Sequence, residues 1–136
     1  MLTNESVLVG RKIKEVKMPD DENIEFFLED GKKITWRTYG DCCSETWFES
    51  IDGIGYLRGG IVVEIIEKEI PKEVQEQLKS TRQESDQLYG YTLIVEIEGG
   101  EYDKDYNRIP RRERVDIEFR NSSNGYYGGD VTESEE

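Results

Sequence analysis

The run Tyr89-Gly-Tyr-Thr-Leu-Ile-Val-Glu-Ile-Glu98 constrains this chain most. Tyr89, Tyr91, Leu93, Val95 and Ile97 recur at every second position, with Thr92, Glu96 and Glu98 between them. A period of two places one set of side chains on one face of a strand and the other set on the opposite face. Arg114 to Phe119 repeats the pattern, with Val115, Ile117 and Phe119 inward and Asp116 and Glu118 outward. The two runs flank the polar stretch Gly99 to Pro110 and read as a hairpin with a long tip.

Further strand signals precede them. Lys12 to Val16 and Asn23 to Leu28 carry β-branched and aromatic residues, and Lys33 to Arg37 follows Glu29-Asp-Gly-Lys32. Asp30-Gly31 is the dipeptide of a type I′ hairpin turn. Cys43 to Ile51 alternates without a purely apolar face, which predicts a partly exposed strand or an irregular piece. Ile61 to Glu67 reads as a short buried strand. Pro71 to Gln87 is the helical candidate: Pro71 suits a first helical position, and Val74 and Leu78 lie four apart. Thr81 and Ser85 continue that face poorly, so a solvent-washed helix or a linker is expected there. The fold class expected is α+β, mainly an antiparallel twisted β-sheet with one short helix. A single α+β domain is expected over 1–129, followed by an acidic disordered tail over 130–136.

Charge narrows the function. The 136 residues hold 18 Lys and Arg against 31 Asp and Glu, and no His, for a net charge of −13. Broad binding to nucleic acid needs clustered basic residues, so direct DNA or RNA contact is not expected, nor is docking on anionic lipid. The lack of His removes Ser-His and Cys-His catalysis and His-ligated metals. No signal-peptide pattern or span-length apolar run is seen, so a cytoplasmic protein is expected, without a cofactor and not an enzyme.

Four strings could carry chemistry. Gly40-Asp-Cys-Cys-Ser44 reads as a thiolate nucleophile or a soft-metal site, or as a turn with one Cys packed in the core and Asp41 accepting backbone hydrogen bonds. Asp41 disfavours a thiolate, and two thiols cannot complete a zinc site. Asp103-Lys-Asp105 opens like a calcium loop, but Arg108 and Arg114 stand at the Gly and Glu positions. Arg108, Arg111, Arg112, Arg114 and Arg120 form an anion site or pair with surface acids. Asn121-Ser-Ser-Asn-Gly-Tyr-Tyr-Gly-Gly129 can line up N–H donors and offer Tyr faces for stacking, or simply close the end of a sheet.

Gly40-Asp-Cys-Cys-Ser44, Trp47-Phe-Glu-Ser-Ile51 and Val115 through Tyr127 together resemble a family of unknown function from phage and bacterial genomes. In that family a Cys-Cys pair precedes an acidic strand and the chain ends on Ser-Asn-Gly-Tyr-Tyr. The resemblance implies a compact α+β domain in a phage-type context and supplies no activity. The residues point to a non-catalytic binding protein, and with the phage-type context the resemblance implies, to a counter-defence factor capturing a small anionic or nucleotide-like ligand through Arg120, Asn121, Asn124, Tyr126 and Tyr127. Alternatively, the chain is an acidic inhibitor that mimics nucleic acid on a host protein surface. Self-association as a homo-oligomer is open in either case. Strand alternation predicts that Tyr126 and Tyr127 face opposite ways, with Tyr127 inward if no bulge intervenes.

Overall fold

In the computed structural model, which describes residues 2–125 and 127–136, the chain forms two four-stranded antiparallel sheets. The strands are β1 (Ile13–Asp20), β2 (Asn23–Leu28), β3 (Lys33–Gly40), β4 (Glu45–Asp52), β5 (Ile61–Lys68), β6 (Ser85–Ile97), β7 (Arg111–Ser123) and β8 (Gly129–Glu135). One sheet runs in the order β1-β2-β3-β8 and the other β4-β7-β6-β5. A 3-10 turn spans Ile54–Tyr56, and the short helix α1 spans Lys72–Glu76.

The architecture is therefore largely β rather than α+β. The helical candidate shrinks to one turn because its apolar face ends at Leu78 and its C-terminal part is drawn into the sheet. Ser85 to Leu88 already belong to β6, paired with Arg120 to Ser123 of β7. Beyond the end of β5, Gln75 of α1 takes up the free edge of β6: the Leu88 N–H donates to Gln75 Oε1 at 2.9 Å. The β2–β3 turn also departs from expectation. Gly31 has φ +88°, but Asp30 does not share the left-handed region. Gly31 N–H donates to Leu28 O and Leu28 N–H to Lys32 O, which makes a three-residue loop closed by the glycine rather than a type I′ turn.

Between the sheets lies a core that includes Ile13, Ile24, Phe26, Leu28, Ile34, Trp36, Phe48, Val62, Ile65, Leu93, Val95, Val115 and Ile117. Aromatic rings join the two layers. Phe26 meets Trp36 edge-on at 5.1 Å, Trp36 meets Tyr91 at 6.0 Å, and Phe119 stacks against both Tyr91 and Tyr89. Such pairs add about 0.5–1.5 kcal/mol each beyond their burial. β4 explains its own mixed pattern. The register slips between Phe48 and Ser50, so Glu49 is an extra residue and the inward parity passes from Phe48 to Ile51.

Two terminal segments seal the structure. The stretch expected as a disordered tail over 130–136 is mostly β8, which pairs with β3 from Gly40↔Gly129 to Ile34↔Glu135. Val131 points inward and is buried. Residues 2–11 close the seam between β8 and β5. Gly10 N–H donates to Val62 O, and Ile65 N–H donates to Asn4 Oδ1. On the opposite side, Val7 N–H and the Ser6 hydroxyl both donate to the Glu133 carboxylate of β8. Leu8 fills the core beneath. No helix among the described residues is long and apolar enough to cross a membrane.

Candidate functional site

The two most unusual strings of the sequence meet at one end of the sandwich. Strand β3 delivers Gly40 to Ser44, and β7 runs out into residues 124–128 before β8 begins. Asp41 clasps the second string: its N–H donates to Gly128 O at 3.0 Å, and Gly128 N–H donates to Asp41 Oδ2 at 3.2 Å. The Ser44 hydroxyl donates to Asp41 O at 2.6 Å. The approach needs glycine at the joint. A Cβ on Gly129 would lie 2.3 Å from Thr46 Oγ1 and 2.9 Å from Tyr39 O.

The four proposed ligand residues that are described do not converge. Arg120 and Asn121 are consecutive in β7 and project to opposite faces. Arg120 faces outward, with its guanidinium 3.4 Å from Asp86 and 3.5 Å from Glu49. Its charge is thereby committed to carboxylates. Asn121 faces inward and is 1% exposed; its Nδ2 donates to Thr46 Oγ1 at 2.9 Å, while its Oδ1 has no hydrogen-bond partner. Asn124 is exposed in the loop, and Tyr127 is half-buried, its carbonyl accepting from Ser123 Oγ. β7 ends at Ser123, so strand parity does not carry through to Tyr127. Tyr126 lies outside the described residues.

Asp86 anchors the segment that crosses behind this end. Its buried carboxylate accepts from Ser122 Oγ at 2.6 Å and Thr81 Oγ1 at 2.7 Å, and Gln83 N–H donates to Ser122 Oγ. Burial works to raise the Asp86 carboxyl, but the Ser122 and Thr81 hydrogen bonds and the Arg120 charge outweigh it and hold it below the ordinary range. Asp116 behaves alike: burial is offset by hydrogen bonds from Thr92 and Arg114. A depressed folded-state pKa gives stability that is present above the unfolded value and lost as pH falls through the folded one. The melting temperature is therefore expected to drop below about pH 4, and Asp86→Asn to flatten part of that drop. An unchanged acid limb in Asp86→Asn would contradict the anchoring role.

A cavity of about 180 Å³ adjoins the same end, lined by Glu67, Tyr89, Gly90, Tyr91, Phe119, Gly129 and Asp130. None of the four described proposed residues lines it. Tyr91 donates to Asp130 Oδ1 at 2.7 Å and accepts from Leu2 N–H. Burial first, then that bond to Asp130, pushes the Tyr91 hydroxyl far up, so it stays a donor at any working pH. The alternation of β6 and β7 already predicted these inward rings. The acidic lining comes from Glu67 of β5 and Asp130 of β8.

Both cysteines are exposed, which corrects the expectation that one packs in the core. Cys43 adopts φ +66°, the left-handed region uncommon for a residue with a Cβ, and this turns its side chain outward. Asp41 does accept a backbone hydrogen bond at the turn, as expected. Cys42→Ser and Cys43→Ser should each leave the melting temperature unchanged in a thermal scan. A drop of several degrees in either would show a packed thiol. Among the described residues, no group of three or more His, Cys, Asp or Glu side chains is placed to hold a metal ion.

The arginine-rich stretch is also paired. Arg112 lies against Glu96, Arg114 against Asp116, Arg111 against Glu113 and Arg108 against Glu98. Comparison with known proteins gives one family match, over residues 6–132, to a profile described as Domain of unknown function (DUF7448). No curated protein and no solved structure matches the chain. The match spans most of the chain, so this protein, with its adjacent Cys42-Cys43 pair and its antiparallel sheets, belongs to the DUF7448 family.

Proposed function

We propose that this chain is a non-catalytic binding protein, a phage-type counter-defence factor that occupies a cationic, nucleic-acid-binding surface of a host protein. The observation that carries this reading is where the charge sits. The arginines are largely held in ion pairs, while Glu22, Glu29, Asp52, Glu69, Glu73, Glu84, Glu101 and Asp105 stand exposed with no salt-bridge partner among the described residues. With β8 ordered, the acids of the C-terminal segment belong to the same rigid body. Fixed carboxylates on a rigid frame can stand in for phosphates and steer encounter with a basic partner.

The small-ligand reading ranks second. Arg120 is already neutralised by Asp86 and Glu49, so an anionic or nucleotide-like ligand would have to displace carboxylates to reach it. Native mass spectrometry of the protein purified from cells that express it distinguishes the two. A complex with a host protein that duplex DNA displaces is the expected result. A retained small anion with no protein partner would overturn the acidic-surface reading and restore the ligand one.

A further inference from the structure

The Cys42-Cys43 pair has no part in the acidic surface, yet its geometry is specific. Both thiols are exposed and their sulfur atoms stand 3.0 Å apart. The turn that holds them is fixed on three sides: Asp41 by its two bonds to Gly128, Ser44 by its bonds to Asp41, and the Cys43 carbonyl by Gln83 Nε2 at 2.8 Å. That separation places both sulfur atoms on the same side of the turn, with Cys43 at φ +66°.

Closing a disulfide between neighbours would force an ordinary S–S bond onto Cα atoms about 3.8 Å apart, shorter than the usual ~4.4–6.8 Å. An atom inserted between the sulfurs relieves that constraint, because each sulfur then bonds to the bridge and not to the other. Two thiolates alone cannot fill a tetrahedral zinc site. They do satisfy a soft centre that takes two sulfur ligands at a narrow angle and carries its remaining substituent outward into solvent.

We propose that Cys42 and Cys43 form a bidentate dithiol site for soft, thiophilic centres of the trivalent arsenical type. With phenylarsine oxide as probe, the two thiols form two As–S bonds. Two S–H bonds and the arsenic–oxygen bond break, and the oxygen leaves as water with both protons. Arsenic stays trivalent and sulfur is not oxidised, so no oxidant is required. Asp41, Lys and Arg side chains take no part in the bonding; the carboxylate of Asp41 only holds the turn.

The test uses the full chain with phenylarsine oxide, read by intact mass and by free-thiol titration. The expected result is one phenylarsenic group per chain, loss of both free thiols together, survival in excess monothiol and release by a dithiol such as dithiothreitol. Cys42→Ser and Cys43→Ser should each lose the adduct in monothiol, a fall of at least a hundredfold in apparent affinity. The same chain unfolded in urea should bind at least tenfold more weakly, because the turn no longer presets the sulfurs. Removal of the adduct by monothiol as easily as from a single-cysteine variant would overturn the proposal. So would two independent additions, or equal affinity in the folded and unfolded chain.

Discussion

Deleting residues 130–136 is expected to unfold the protein. The segment looks dispensable, since it is short, polar and acidic. In the structure it is the outer strand of one sheet, paired with β3 along its length. Its removal exposes the core beneath Val131, worth about 1.5–3 kcal/mol for a buried aliphatic side chain. It also leaves two buried donors unpaired, Trp36 Nε1 and the Tyr91 hydroxyl, at about 1–3 kcal/mol each. The N-terminal segment loses its anchor on Glu133 at the same time. Together these losses approach the ~5–15 kcal/mol that stabilises a whole domain. Circular dichroism and a thermal scan of the truncated chain should show no cooperative transition. A truncated chain that melts like the full one would make the tail reading correct after all.

Glu133→Ala carries the second largest expected effect. One carboxylate accepts from Trp36 Nε1 at 2.9 Å, from Val7 N–H at 3.0 Å and from the Ser6 hydroxyl. It thus ties β3, β8 and the N-terminal segment at a single point. Hydrogen bonds to a charged acceptor contribute roughly 1.5–3 kcal/mol, and the indole N–H left behind in the core adds its own desolvation cost. A loss of about 3–4 kcal/mol in urea denaturation is expected, with Glu133→Gln losing less because it keeps one acceptor oxygen. Hydrogen exchange at Val7 and Leu8 should rise in parallel, as the seam opens. Equal stability of Glu133→Ala and the parent chain would show that the seam closes without the carboxylate.

These two predictions also show where the sequence was opaque. The β6–β7 hairpin was legible because Tyr91, Leu93 and Val95 recur at every second position, with Ile94 the one apolar residue between them, and find Val115 and Ile117 with the same parity. Glu133 was not, because a carboxylate at an inward position reads as solvent-facing until its partners are known. Those partners lie 97 and 126 residues away along the chain. Residues 2–11 have no strand or helix period at all. They are ordered by the seam they fill. Cys43 to Ile51 read as mixed because the bulge at Glu49 breaks the alternation, and no local signal marks a bulge.

The site was half legible. Gly40 to Ser44 and Asn121 to Gly129 were singled out separately, and the structure brings them into contact through Asp41 and Gly128. Against the expected grouping of Arg120 with Asn121 around one ligand stands a point the sequence did contain. Arg120 and Asn121 adjoin in a strand, so they cannot reach the same ligand from the same face. The partners of Arg120, by contrast, come from β4 and β6 and could not be read from its neighbours in the chain.

The salt dependence of partner binding tests the acidic-surface account most directly. Affinity for the host protein recovered with this chain should be measured at 50 and 200 mM salt, with and without duplex DNA as competitor. Surface carboxylates act over a Debye length of about 7–14 Å in this range, so their contribution is screened as salt rises. The account predicts a fall of roughly tenfold or more and displacement by DNA. An affinity that is flat across the range and indifferent to DNA would contradict it.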